Sequence, residues 1–82
     1  FYVFPNPANS IANIKFNLAS KQENIIINMH NIVGKKVKTI HNGVLHQGSQ
    51  NIPIDISKLS KGIYFININT PQRKLVQKLI IE

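Results

Sequence analysis

The chain has 82 residues, with 10 Lys+Arg against 3 Asp+Glu, a net charge of +7 and a hydrophobic fraction of 43%. That length suits one small domain with a modest core. The absence of cysteine excludes a disulfide framework and a thiolate metal site, and no apolar run approaches the ~18 residues that span a bilayer. The chain starts at Phe1 rather than Met and is therefore expected to be a fragment of a longer protein.

In chain order, residues 1–4 form a short apolar run that ends at Pro5-Asn6-Pro7. Two prolines remove two backbone donors and fix two φ angles, which ends a strand. Ala12, Ile14, Phe16 and Leu18 alternate with Asn13, Lys15 and Asn17, the period-two pattern of a half-buried strand. A turn follows at residues 19–22. Ile25, Ile27 and Met29 then share one face of a second strand, with Ile26, Asn28 and His30 on the other. Three successive isoleucines are β-branched and favour strand over helix.

Residues 31–34 read as a bend closing on Gly34, and residues 35–41 as a returning strand. Asn42-Gly43 predicts a two-residue hairpin, since both residue types tolerate positive φ. Gly48 predicts another bend. Ile52, Ile54 and Ile56 share a face of the next strand, and Pro53 between them marks it as an edge strand. Residues 55–62 predict a turn, with one helical turn around residues 57–60. Asp55 or Ser57 caps it, and Leu59 plugs it onto the core. Gly62 opens a strand in which Tyr64, Ile66 and Ile68 alternate with Phe65, Asn67 and Asn69. Thr70, Pro71 and Gln72 separate that strand from a last one at residues 74–82. The sum is about seven short strands joined by turns, an all-β, immunoglobulin-like antiparallel β-sandwich with a single domain over residues 1–82.

Chemistry finds little purchase here. Glu23, Asp55 and Glu82 are the only acids and stand apart in sequence, whereas paired-carboxylate catalysis needs two carboxyls within a few ångströms. Ser57, His41 and Asp55 would make a triad only on paper, with no nucleophile elbow to support it. His41 and His46 flank the expected Asn42-Gly43 turn, but two histidines without an acid or cysteine make a poor metal site. The expectation is no enzyme, no cofactor and no metal. The aromatics Phe1, Tyr2, Phe4, Phe16, Tyr64 and Phe65 fall mostly at expected core positions, and no Gly-rich phosphate loop occurs, which argues against nucleic acid. The pI near 10.1 favours acidic partners, anionic lipopolysaccharide among them. Yet the basic residues are scattered, apart from Lys35, Lys36 and Lys38, as on an ordinary solvated surface.

The ordered set Pro5-Asn6-Pro7, Gly34-Lys35, Asp55 with Ser57 and Leu59, Gly62-Ile63-Tyr64 and a terminal strand rich in Lys, Leu and Ile resembles the C-terminal sorting domain, type A, of the type IX secretion system of Bacteroidota. The resemblance covers nearly the whole chain. It implies a seven-stranded sandwich at the end of a secreted cargo protein that reaches the periplasm and is read there by the outer-membrane translocon. It further implies removal by a sortase-like peptidase and release of the cargo, or its attachment to lipopolysaccharide at the cell surface. By position, Pro5, Asn6, Pro7, Gly34, Asp55, Leu59, Gly62 and Tyr64 match the sorting motifs. Lys74, Leu75, Lys78, Leu79 and Ile80 of the terminal strand are the candidate recognition residues. No cleavage region is visible, so a cut is expected upstream of Phe1. Translocon and sortase components are the implied partners, and edge strands leave room for weak dimer formation. The alternative is an immunoglobulin- or fibronectin-like accessory module of a secreted hydrolase, acting as spacer or glycan binder.

Overall fold

The computed structural model describes residues 1–5 and 7–82, the side chains of Tyr2, Gln22 and Glu23 excepted. The middle of the Pro-Asn-Pro bend, Asn6, and the expected core position of Tyr2 thus lie outside the described residues, as does the Glu23 side chain. Seven strands follow in order: β1 (Tyr2–Phe4), β2 (Ile11–Leu18), β3 (Gln22–Asn31), β4 (Lys36–Leu45), β5 (Gly48–Asp55), β6 (Gly62–Asn69) and β7 (Lys74–Ile81). No helix occurs among the described residues. The helical turn expected around residues 57–60 reduces to one reversal, in which Leu59 N–H donates to the Ile56 carbonyl at 3.1 Å.

The strands form a three-stranded sheet, β1-β2-β5, and a four-stranded sheet, β4-β3-β6-β7. Every strand pair is antiparallel. One core lies between the sheets. The first sheet gives it Val3, Ala12, Ile14 and Ile54, and the second gives it Ile25, Ile27, Met29, Tyr64, Ile66, Ile68, Leu79 and Ile81. These are the inward members of the period-two patterns. A slip of one residue in any strand would turn its apolar set outward, so burial fixes the register.

Two sequence expectations fail. Asn42-Gly43 is not a hairpin. Both residues lie inside β4, opposite Ile26 and Ile25 of β3. The chain reverses earlier, at residues 31–35, where the Asn31 side chain fixes the turn. Its Oδ1 accepts from Val33 N–H at 3.1 Å and Lys35 N–H at 2.9 Å. The local preference of Asn-Gly loses to the pairing of β4 along the isoleucines of β3. The aromatics, likewise, give the core less than expected. Among the described aromatic side chains Tyr64 alone is buried, Phe1 and Phe16 pack against the core, Phe65 is half-buried and Phe4 is exposed. The interior is filled instead by β-branched isoleucine, whose stiff side chains suit a pleated surface.

The sheet edges are blunted. Ile56 N–H donates to the Ser10 carbonyl at 2.9 Å. By alternation, Ile54 and Ile52 then face β2, and Pro53 turns its donorless nitrogen to the open side. Its missing N–H therefore falls where another chain would pair, on the edge strand expected from its presence. On the opposite sheet, the edge strand β4 carries Lys36 and Lys38 and is broken in register near both. Charge and bulges discourage edge-to-edge pairing.

Ile66 is fully buried at the centre of β6, flanked by Met29 and Gln77. Ile66→Ala is expected to cost about 3 kcal/mol and to lower the melting temperature by more than ~10 °C. Val76→Ala, at an exposed position, is expected to stay within about 0.5 kcal/mol of the parent. Thermal melts of the two variants against the parent check both figures.

Candidate recognition surface

The residues singled out in the sequence fall into four structural roles. The first is the bridge between the two ends of the chain. Pro5 and Pro7 are exposed on either side of Asn6 and carry the chain from β1 of one sheet toward the edge of the other. There Ala8, almost fully buried, clips onto β7. Its N–H donates to the Ile80 carbonyl at 2.9 Å, and Glu82 N–H donates to the Ala8 carbonyl at 2.8 Å. This isolated parallel bridge between Ala8 and Ile81 joins the first motif to the last strand. Sequence reasoning missed it, since a single alanine after a bend carries no signal of its partner.

The second role is the hairpin turn at Gly34. Gly34 N–H donates to the Asn31 carbonyl at 3.0 Å, and Asn31 N–H donates to the Lys35 carbonyl at 2.9 Å. Gly34 has φ of +88°. This is a type I turn followed by a left-handed residue, the three-residue hairpin that calls for glycine at its last position.

The third is the crossover from β5 to β6, which contains Asp55, Leu59, Gly62 and Tyr64. Asp55 Oδ1 accepts from Ser57 N–H at 3.0 Å and from Ser57 Oγ–H at 2.6 Å, an Asx turn. Leu59 is half-buried against the core. The Tyr64 hydroxyl donates to the Ser60 carbonyl at 2.7 Å, so the third residue of β6 holds the turn that precedes it. The expected capping by Asp55 is thus realised as a braced bend. Asp55 spends its carboxylate on Ser57, while His41 Nε2–H donates to the Val44 carbonyl at 3.1 Å. No triad forms from these residues. Among the described residues no group of three His, Cys, Asp or Glu could hold a metal.

The fourth is the outward face of the four-stranded sheet. Across β3, β6 and β7, three rows lie in register: Ile26, Asn69 and Lys74; then Asn28, Asn67 and Val76; then His30, Phe65 and Lys78. Asn67 Nδ2–H donates to His30 Nδ1 at 2.7 Å within this lattice. Asn28 Oδ1 and Asn69 Oδ1 are buried in it without a hydrogen-bond partner. Of the candidate recognition residues, Lys74 and Lys78 are exposed on this face and Ile80 is half-buried. Leu79 is fully buried and Leu75 half-buried against the core. The terminal strand therefore turns its lysines and Val76 outward, while its leucines pack inward.

The pKa of Asp55 is lowered from its ordinary 3.8, chiefly by the hydrogen bond from the Ser57 hydroxyl and then by that from the Ser57 N–H, with the positive charges of Lys38 and Lys58 adding less. The chain as a whole carries a net charge of +7.

A family model described as the secretion system C-terminal sorting domain matches residues 2–82. No match is found among curated proteins.

Because the folded-state pKa of Asp55 is depressed, its contribution to stability is complete above the unfolded carboxylate range and is lost as pH falls through the folded value. The carboxyl of Asp55, followed by NMR, should titrate below 3.8 in the parent. In Ser57→Ala the midpoint should move up toward the ordinary value, and the part of the acid-induced loss of stability that comes from Asp55 should shrink. An unmoved midpoint would show that the hydroxyl does not hold the carboxylate.

Proposed function

Because the chain belongs to the C-terminal sorting domains of the secretion system, type IX, we propose that its folded surface is the address by which a cargo protein is handed to the outer-membrane translocon. The family is a sorting signal rather than a catalyst, and it implies export to the cell surface or the extracellular space. In this reading the cargo passes through the periplasm, the domain engages the translocon there, and a sortase-like peptidase then cuts upstream of Phe1. The freed cargo is released or joined to anionic lipopolysaccharide. The observation that carries the reading is the family match across residues 2–82, together with motif residues that build turns rather than a reaction site.

The motifs divide the labour. Asp55, Leu59, Gly62 and Tyr64 brace a crossover, Gly34 closes a hairpin, and Pro5 and Pro7 lead to the Ala8 clip on β7. Such turns present one surface whatever cargo precedes them. Lys74 and Lys78, exposed in one row system of the outer face, are the residues assigned to contact with the machinery. Leu75, Leu79 and Ile80 act by keeping that strand docked. Rim lysines of this kind steer encounter with an acidic partner more than they add to its final affinity.

Residues 1–82, fused behind a periplasmic reporter in a bacterium with a working type IX system, should carry the reporter into the medium or onto the cell surface. Retention in the periplasm would refute the sorting reading and leave a spacer or glycan-binding module. Lys74→Glu with Lys78→Glu should lower export by about tenfold while the melting temperature holds. Unchanged export would remove these lysines from the contact.

A further inference from the structure

The tip of the β3–β4 hairpin carries Ile32 and Val33 as its two central residues, 69% and 82% exposed, among the most exposed large apolar side chains described. A type I turn accepts most residue types at its centre, so the bend itself does not call for an apolar pair there. Here Asn31 and Gly34 already fix the turn through four hydrogen bonds. Neither Ile32 nor Val33 belongs to the core or to the hydrophobic residues packed against it, so most of their apolar surface stays in water.

Single exposed apolar residues need no explanation, but a contiguous apolar patch marks an interaction site. Beside the tip, Ile32 shares a shallow depression on the sheet's outer face with His30, Phe65 and Val76. That depression is continuous with the row of Lys74, Val76 and Lys78. The charge carried by the hairpin itself has one sign. Lys35 and Lys36 follow the tip and are exposed, and residues 24–45 contain neither Asp nor Glu. Glu23 lies at the far end of β3, roughly 30 Å away along the strand.

We propose that the Ile32-Val33 tip is a plug that enters an apolar socket with an acidic rim on a protein of the export machinery, with Lys35 and Lys36 meeting the rim. The inference rests on the sorting reading and names the part of the domain that makes its central contact. An exposed aliphatic pair followed by two exposed lysines fits such a socket, since the hydrogen-bonded turn is formed before binding and little freedom is lost on insertion. Two apolar side chains at the centre of an interface, with charges at its edge, follow the apolar-core and polar-rim anatomy of protein interfaces.

The test is the reporter fusion carrying Ile32→Ser with Val33→Asn, substitutions that suit a type I turn and leave the core untouched. The purified domain should melt within a few degrees of the parent, and export should fall about tenfold. Ile32→Val with Val33→Ile, which keeps the tip apolar, should export as the parent does. Normal export of the polar double variant overturns the inference alone. A parent fusion held in the periplasm overturns the sorting reading and the inference with it. Purified parent chain that co-sediments with phosphatidylglycerol vesicles, and loses this with the polar tip, overturns the protein socket in favour of a lipid surface.

Discussion

Burial of alternating isoleucines between two sheets is the constraint on which the rest of this molecule depends. Ile14 and Ile54 from one sheet meet Ile25, Ile27 and Ile66 from the other, all fully or almost fully buried. A domain of this size has little stability to spare, so the register of each strand is set by keeping this layer inside. Once that layer is fixed, the outward positions are fixed too. Lys74, Val76 and Lys78 stand beside Asn69, Asn67 and Phe65 because Leu75, Gln77 and Leu79 face the other way. The outer face is thus a by-product of the core's register.

The turns extend the same logic. The Tyr64 hydroxyl on Ser60 and the Asp55 carboxylate on Ser57 hold the passage from one sheet to the other. The Ala8 clip ties the segment after the prolines to the last strand. These contacts are local or nearly so, except for the clip, which joins positions at opposite ends of the chain. Removing β7 would therefore strip the sheet's edge and the anchor of the N-terminal segment together. An export defect after such a deletion would speak of folding before recognition, which is why substitutions at exposed positions discriminate better.

Much of this was legible in the sequence because period-two burial is written residue by residue. The faces of β2, β3, β5 and β6 follow directly from the spacing of their isoleucines, and Pro53 marked its strand as an edge. Asn42-Gly43 misled because a dipeptide preference is worth little against a ten-residue strand pairing, and Asn31 with Gly34 had already made the reversal. The aromatics misled because size was taken for burial, whereas the narrow gap between the sheets is filled by isoleucine. The Ala8–Ile81 bridge and the Asn67–His30 bond were illegible, since each joins residues far apart in sequence with no pattern of their own. Leu79 was grouped with its neighbours as a recognition residue, and only the strand's orientation separates it from the exposed lysines. The bend at residues 31–34 was legible from Gly34, but the exposure of Ile32 and Val33 at its tip shows only in the structure.

The central claim is that the address is a fold, assembled from residues distant in sequence, and not a linear tail. The most direct measurement compares the export of one reporter carrying either residues 1–82 or residues 74–82 alone, by its distribution between periplasm, surface and medium. The account predicts export with the whole domain and retention in the periplasm with the terminal segment. Equal export from the short segment would contradict it, because a nine-residue peptide has neither the sandwich nor the braced turns.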